Sequence, residues 1–272
     1  DISASVGTPF YCYSTATLTR HYRAFESALN GVPSTICFAV KSNSNASVLR
    51  SLGELGSGAD VVSEGELRQS LAAGIDPRKI VFSGVGKTPR EMAFALDSNV
   101  GQFNVESQSE LQSLNAVAQG KGVRAPIAIR INPDVDAGTH DKISTGRAHD
   151  KFGIAWAEAR GVYTQAADME GIDVGGIAVH IGSQITELRP FEAAFTAVLG
   201  AVADLRADGH DIRRIDLGGG LGVPYSGQNP PSPKEYGDLA KRIVGGLGCE
   251  LVIEPGRAIA ANAGILVTQV LH

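Results

Sequence analysis

ICFAVKSNSN, residues 36–45, ends an apolar run on a lysine. Residues 36–40 begin on β-branched Ile36 and predict a buried strand. Lys41 follows at once, and then a polar Ser/Asn turn. A lysine at the C-terminal lip of a buried strand either snorkels to solvent along its alkyl stem or is placed for chemistry. This window alone leaves both readings open. Seven more runs of the same kind follow, at 59–62, 80–82, 102–105, 127–131, 176–181, 214–217 and 250–253. Amphipathic helical stretches separate them. Eight such strands, each followed by a helix, close most simply into a (β/α)8 TIM barrel, with a doubly wound open sheet as the other solution.

The helix starts are marked. Ser63–Glu66, Thr88–Glu91, Ser107–Glu110 and Ser232–Glu235 have the spacing of capping boxes, and Pro89 and Pro233 stand at first helical positions. Over 188–207, Phe191, Phe195, Val198, Val202 and Leu205 fall on one helical face, which predicts core. The loop 132–150 is polar and too long for a plain connector, so it is expected to be functional or a dimer element. Three parts are expected: an N-terminal segment over 1–30, the barrel over 31–262, and a strand over 263–272 that leaves the barrel. That apolar end, GILVTQVLH, predicts a second domain or a partner chain.

Bulk properties narrow the classes. At 272 residues, 43% hydrophobic and 19% charged, the composition is that of a globular domain with a sizeable core. A net charge of −5 argues against nucleic acid and membrane surfaces as partners, which attract basic patches. No run spans a bilayer. Cys12, Cys37 and Cys249 are far apart, with no CxxC pairing, and are expected as reduced thiols in the cytoplasm. No metal site is expected.

Barrels place their chemistry at the C-terminal ends of the strands. Those ends carry Lys41, Arg130, HIGSQ from His180 to Gln184, DLGGGLG from Asp216 to Gly222, and EPGR from Glu254 to Arg257. Gly218, Gly219 and Gly220 are either a tight turn or a backbone cradle for an anion. Barrels bind phosphate with the loops after their last two strands, and here those loops supply the glycines together with Gly256 and Arg257. The run lacks the spacing of a dinucleotide fingerprint. His180 alone reads as a core histidine, and Glu254 alone as a salt-bridged carboxylate. Together, a lysine amine, a flat imidazole, a carboxylate and a phosphate cradle are the parts that pyridoxal 5′-phosphate (PLP) needs, with Lys41 as the Schiff-base lysine.

These motifs resemble a known family. FAVKSN, FSGVGKT, FNVES, RINPDVDAGTHDKISTG, KFGI, HIGSQI, DLGGGLGVPY and EPGR are similar to those of the diaminopimelate decarboxylases, PLP enzymes with an alanine-racemase-like barrel. The likeness runs from Gly7 to the C-terminus. It implies that Lys41 carries the cofactor and that His180 stacks on its ring. It implies that Ser183, Gly218, Gly219, Gly220, Pro255, Gly256 and Arg257 hold the phosphate side, with Arg257 also near the substrate. Glu254 would pair with the pyridine nitrogen. The implied reaction converts meso-diaminopimelate to L-lysine and CO2, in lysine biosynthesis, in a homodimer. Such enzymes carry a C-terminal β-domain with a proton-donating cysteine, and this chain stops where that domain would begin. The barrel alone is expected to bind cofactor with little turnover. The alternatives are an ornithine, arginine or lysine decarboxylase of the same group, a non-catalytic single-barrel PLP carrier, or a sugar-phosphate barrel without PLP. Asp60, Arg130 and Lys151 are expected to be structural ion pairs.

Overall fold

The computed structural model of the chain describes residues 2–135 and 152–272. Its strands, in chain order, are β1 (Phe10–Tyr13), β2 (Ser34–Ala39), β3 (Gly58–Val61), β4 (Ile80–Phe82), β5 (Gln102–Val105), β6 (Ala125–Asn132), β7 (Ile154–Ala155), β8 (Ile172–Ala178), β9 (Arg214–Asp216), β10 (Glu250–Ile253) and β11 (Gly264–Val267). One sheet runs β5-β4-β3-β2-β10-β9-β8-β6, and β5 pairs with β6 to close it. Every pairing in this ring is parallel. The fold is the eight-stranded parallel barrel that the apolar runs predict, and β7 extends one edge of β6.

The eighth helix of the ring comes from an unexpected place. β10 is followed only by a four-residue helix, Arg257–Ala260. The helix Thr15–Ala28 fills the gap, packing against the helices Ala46–Glu54 and Pro233–Val244. It buries Leu18, Tyr22 and Phe25 at helical spacing. The N-terminal segment is therefore part of the barrel wall.

Local signals act as expected where their partners are local. Thr88 and Ser232 make complete capping boxes with Glu91 and Glu235. Ser63 and Ser107 cap their helices, but Glu66 and Glu110 reach back one residue further, to the N–H groups of Val62 and Glu106. All five apolar residues assigned to the 188–207 face are buried in the helix Arg189–Ala207.

The C-terminal run is strand over a shorter stretch than expected. Only Gly264–Val267 is strand, and it is not left without a partner: it pairs antiparallel with β1, in register Phe10 to Val267. The extended residues Phe10–Tyr13, just before the helix Thr15–Ala28, supply the hydrogen-bonding edge that a lone strand would lack. Ile265 and Leu266 remain exposed, as does Tyr11. From residue 136 the long polar loop, and Lys151 with it, lie outside the described residues.

Candidate active site

Three strand ends put charge inside the barrel mouth. Asp60 lies in β3, fully buried, and Asp216 and Glu254 stand at the ends of β9 and β10. Lys41 sits on the turn Val40–Ser42 just after β2. Its Nζ lies 3.2 Å from Asp60 Oδ2, and the lysine side chain is 50% exposed while the aspartate is 0%. Asp60 raises the Lys41 pKa, and burial opposes it. The amine is thus an ammonium held by a buried carboxylate, not one that snorkels. Asp60, expected as a structural ion pair, has the site's own lysine as its partner. Asp60 Oδ1 is buried without a hydrogen bond.

His180 follows β8 by two residues. Its Nδ1 accepts the Gly219 N–H at 3.1 Å, which leaves the ring proton on Nε2. Burial pushes its pKa well down, and the charges of Lys41 and Arg130 push the same way. The imidazole is neutral. Arg130 is itself paired with Glu106 at 3.1 Å and lies over the Phe152 ring at 5.1 Å, as a structural ion pair would.

The triple glycine has a more divided role than a phosphate cradle alone. Gly218 and Gly220 have φ of 66° and 109°. A Cβ on Gly218, Gly219 or Gly220 would collide with the carbonyls of Val179, Glu254 and Gly182 respectively. Gly218 gives its N–H to Asp216 at 2.9 Å, and Gly219 gives its N–H to His180. Of the three, Gly220 lines the cavity. Gly218 and Gly219 position the aspartate and the imidazole, because the turn directs their N–H groups inward. Pro255 likewise lies behind the wall; its carbonyl accepts the Ala39 N–H at 3.3 Å.

Lys41, His180, Ser183, Gly220, Glu254, Gly256 and Arg257 line one cavity of about 570 Å3. β1 and β11 supply its outer rim through Tyr11, Tyr13, Ile265 and Leu266. Arg257 donates to the Tyr225 hydroxyl at 2.6 Å and to Ser183 Oγ at 3.4 Å. Its Nε is buried with no acceptor. A second cavity of about 310 Å3 lies at the opposite end of the barrel, where Arg213 and Arg214 pair with Asp173 and Glu250. It holds none of the residues singled out for chemistry. Among the described residues, no group of His, Cys, Asp and Glu could hold a metal ion, and no helix is long and apolar enough to cross a membrane.

These residues fit a flat, phosphorylated aldehyde. The unsatisfied Arg257 Nε–H is a donor left over for an anion. An amine, a neutral imidazole and a carboxyl share the remaining wall of a cavity of cofactor size.

Sequence reasoning passed over several contributors. Asn104 and Gln102 surround Asp216, and Tyr225 holds Arg257. The available signal was polarity inside buried strands: Gln102 and Asn104 interrupt β5, and Asp60 interrupts β3.

Known proteins share this arrangement of chain. The family described as pyridoxal-dependent decarboxylase, pyridoxal binding domain, matches residues 15–261. The diaminopimelate decarboxylase of Vibrio cholerae is 54% identical over 271 residues, covering 99% of this chain and 65% of that protein. The diaminopimelate decarboxylase of Pseudomonas aeruginosa is 51% identical over 269 residues, again covering 99% and 65%. The crystal structure of diaminopimelate decarboxylase from Helicobacter pylori, complexed with L-lysine, superposes with a TM-score of 0.95 at 42% identity, covering 97% of this chain and 67% of that one. The chain thus spans about two thirds of the length of the relatives it matches. Its barrel, its cavity and a family match over nearly all its length place it in the pyridoxal-binding domain family of the pyridoxal-dependent decarboxylases.

Proposed function

We propose that this chain is the PLP-binding barrel of an enzyme that decarboxylates meso-diaminopimelate at its D-configured end, giving L-lysine and CO2. The observation that carries the reading is the convergence of Lys41, His180, Glu254 and Arg257 on one cavity. Identity of about half to proteins named diaminopimelate decarboxylase supports the substrate.

When bound, the cofactor supplies an electron sink for the electron pair left as CO2 departs. Lys41 would hold the cofactor's aldehyde carbon and yield it to the substrate amine. Asp60, beside the Lys41 amine, would favour a cation at that point. His180 offers a flat neutral ring, so it adds no charge beside the cofactor. Glu254 would keep a proton at the ring nitrogen. Arg257, Ser183, Gly220 and Gly256 would hold the phosphate, with Arg257 also near the substrate.

We assign the proton returned to carbon to a C-terminal β-domain of a partner subunit in a homodimer. The exposed Tyr11, Ile265 and Leu266 at the cavity rim support a covering of that kind. We place the protein in the cytoplasm, a reading supported by three free cysteines.

The test is CO2 release by the full-length protein loaded with PLP. Release from meso-diaminopimelate well above that from ornithine, arginine or lysine is expected. Preference for another diamino acid would overturn the substrate assignment.

A further inference from the structure

At the cavity wall two carboxyl groups share one buried pocket, and one of them, Asp216, has no chemical role in the account above. Asp216 and Glu254 stand at the ends of neighbouring strands β9 and β10, 1% and 7% exposed. The Asn104 side-chain amide donates to both, which sets the two carboxyls side by side. Their other partners are unequal. Asp216 accepts from the Gly218 N–H at 2.9 Å, from Asn104 Nδ2 at 3.0 Å and from Gln102 Nε2 at 3.2 Å. Glu254 has only Asn104 Nδ2 at 3.3 Å and the Ser83 hydroxyl at 3.5 Å.

Two carboxyls in contact in a dry site do not both ionise, and the one with more N–H donors keeps the charge. By that rule Asp216 is the carboxylate and Glu254 the acid that donates to it. Burial pushes the Glu254 pKa well up, Asp216 and Asp60 push it further, and Lys41 opposes them. Of the other groups around the pair, Cys37 and Tyr236 are pushed up by burial and stay neutral.

We infer that Asp216 is a positioning residue that keeps Glu254 loaded with a proton until the cofactor's ring nitrogen displaces it as Glu254's partner. The inference rests on the proposed pairing of Glu254 with that nitrogen. If the nitrogen arrives unprotonated, the Glu254 O–H bond breaks, an N–H bond forms, and solvent exchanges nothing. If it arrives protonated, the Glu254 proton leaves to solvent. Both routes end with two ionised carboxyls and one proton on the nitrogen. An amide at position 216 removes the negative neighbour and so lowers the Glu254 pKa, while burial and Asp60 still hold it up.

The experiment uses full-length protein stripped of cofactor and titrated with PLP. Calorimetry in buffers of different ionisation enthalpy counts the protons released. Wild type is expected to release more protons than Asp216→Asn, by up to about one. Equal release overturns the inference. Since D216N places an amide among N–H donors and can fail to fold, difference infrared spectroscopy of the wild type is the second readout. A carboxylic-acid C=O band should be present without cofactor, vanish on binding and be missing in Glu254→Gln. Absence of that band in a protein that binds PLP overturns this inference alone. A wild type that takes up no PLP overturns the proposed function and this inference together.

Discussion

Lys41 Nζ stands 3.2 Å from Asp60 Oδ2, joining a half-exposed amine to a carboxylate with no exposure at all. The pair ties β2 to β3 at the barrel mouth and sets the charge on the reactive nitrogen. Asp60 raises the Lys41 pKa, so the amine becomes available only as pH climbs. Asp60→Asn removes that support and leaves burial to dominate. The pH at which PLP uptake accelerates should therefore move down in the variant. Stopped-flow uptake across pH measures this, and an unmoved midpoint would contradict the assignment.

Arg257 presents a fork that a lysine cannot reproduce. Arg257→Lys loses the contacts to Tyr225 and Ser183 and the spare Nε donor. Its affinity for PLP should fall by about tenfold or more, on the order of 1.4 kcal/mol. Affinity for pyridoxal, which lacks the phosphate, should barely change. Parallel titrations with the two compounds separate a phosphate contact from general damage, since damage would weaken both.

Gly219 faces the Glu254 carbonyl so closely that no Cβ fits. Gly219→Ala must push β9 and β10 apart at their C-terminal ends. Overpacking of this kind costs about 1–3 kcal/mol, readable from urea unfolding. A wild-type midpoint in the variant would show that the turn yields freely.

Lys87 is a buried cation with no place in the proposed chemistry. It pairs with Glu110 at 2.6 Å and donates to the carbonyls of Gly84 and Asn104. Lys87→Met strands the Glu110 carboxylate and should cost about 3–5 kcal/mol at neutral pH. Burial raises the Glu110 pKa, and Lys87 at present counteracts that. A raised carboxyl pKa favours the fold below the unfolded pKa and loses that benefit as pH rises through the folded one. The deficit of the variant should therefore shrink in acid. Chemical denaturation at pH values on both sides of the carboxylate range checks the sign.

The barrel was legible because its strands are buried on both faces and so read as apolar runs. Lys41, His180, Glu254 and Arg257 were legible because parallel strands bring their C-terminal ends together. What escaped depends on contacts between distant parts of the chain. The helix Thr15–Ala28 shows its apolar face in sequence, but its neighbour at Pro233–Val244 lies far along the chain. The pairing of β1 with β11 joins opposite ends of the described chain. The glycine run announces a close approach without saying whose N–H meets which acceptor. Only the fold shows that Gly218 serves Asp216 and Gly219 serves His180.

The central claim is that Lys41 is the residue to which the cofactor attaches. Borohydride reduction of the PLP-loaded full-length protein, followed by peptide mass spectrometry, tests it most directly. The account predicts a pyridoxyl adduct on Lys41, absent from Lys41→Ala. An adduct on any other lysine, or none at all in a protein that retains PLP, would contradict it.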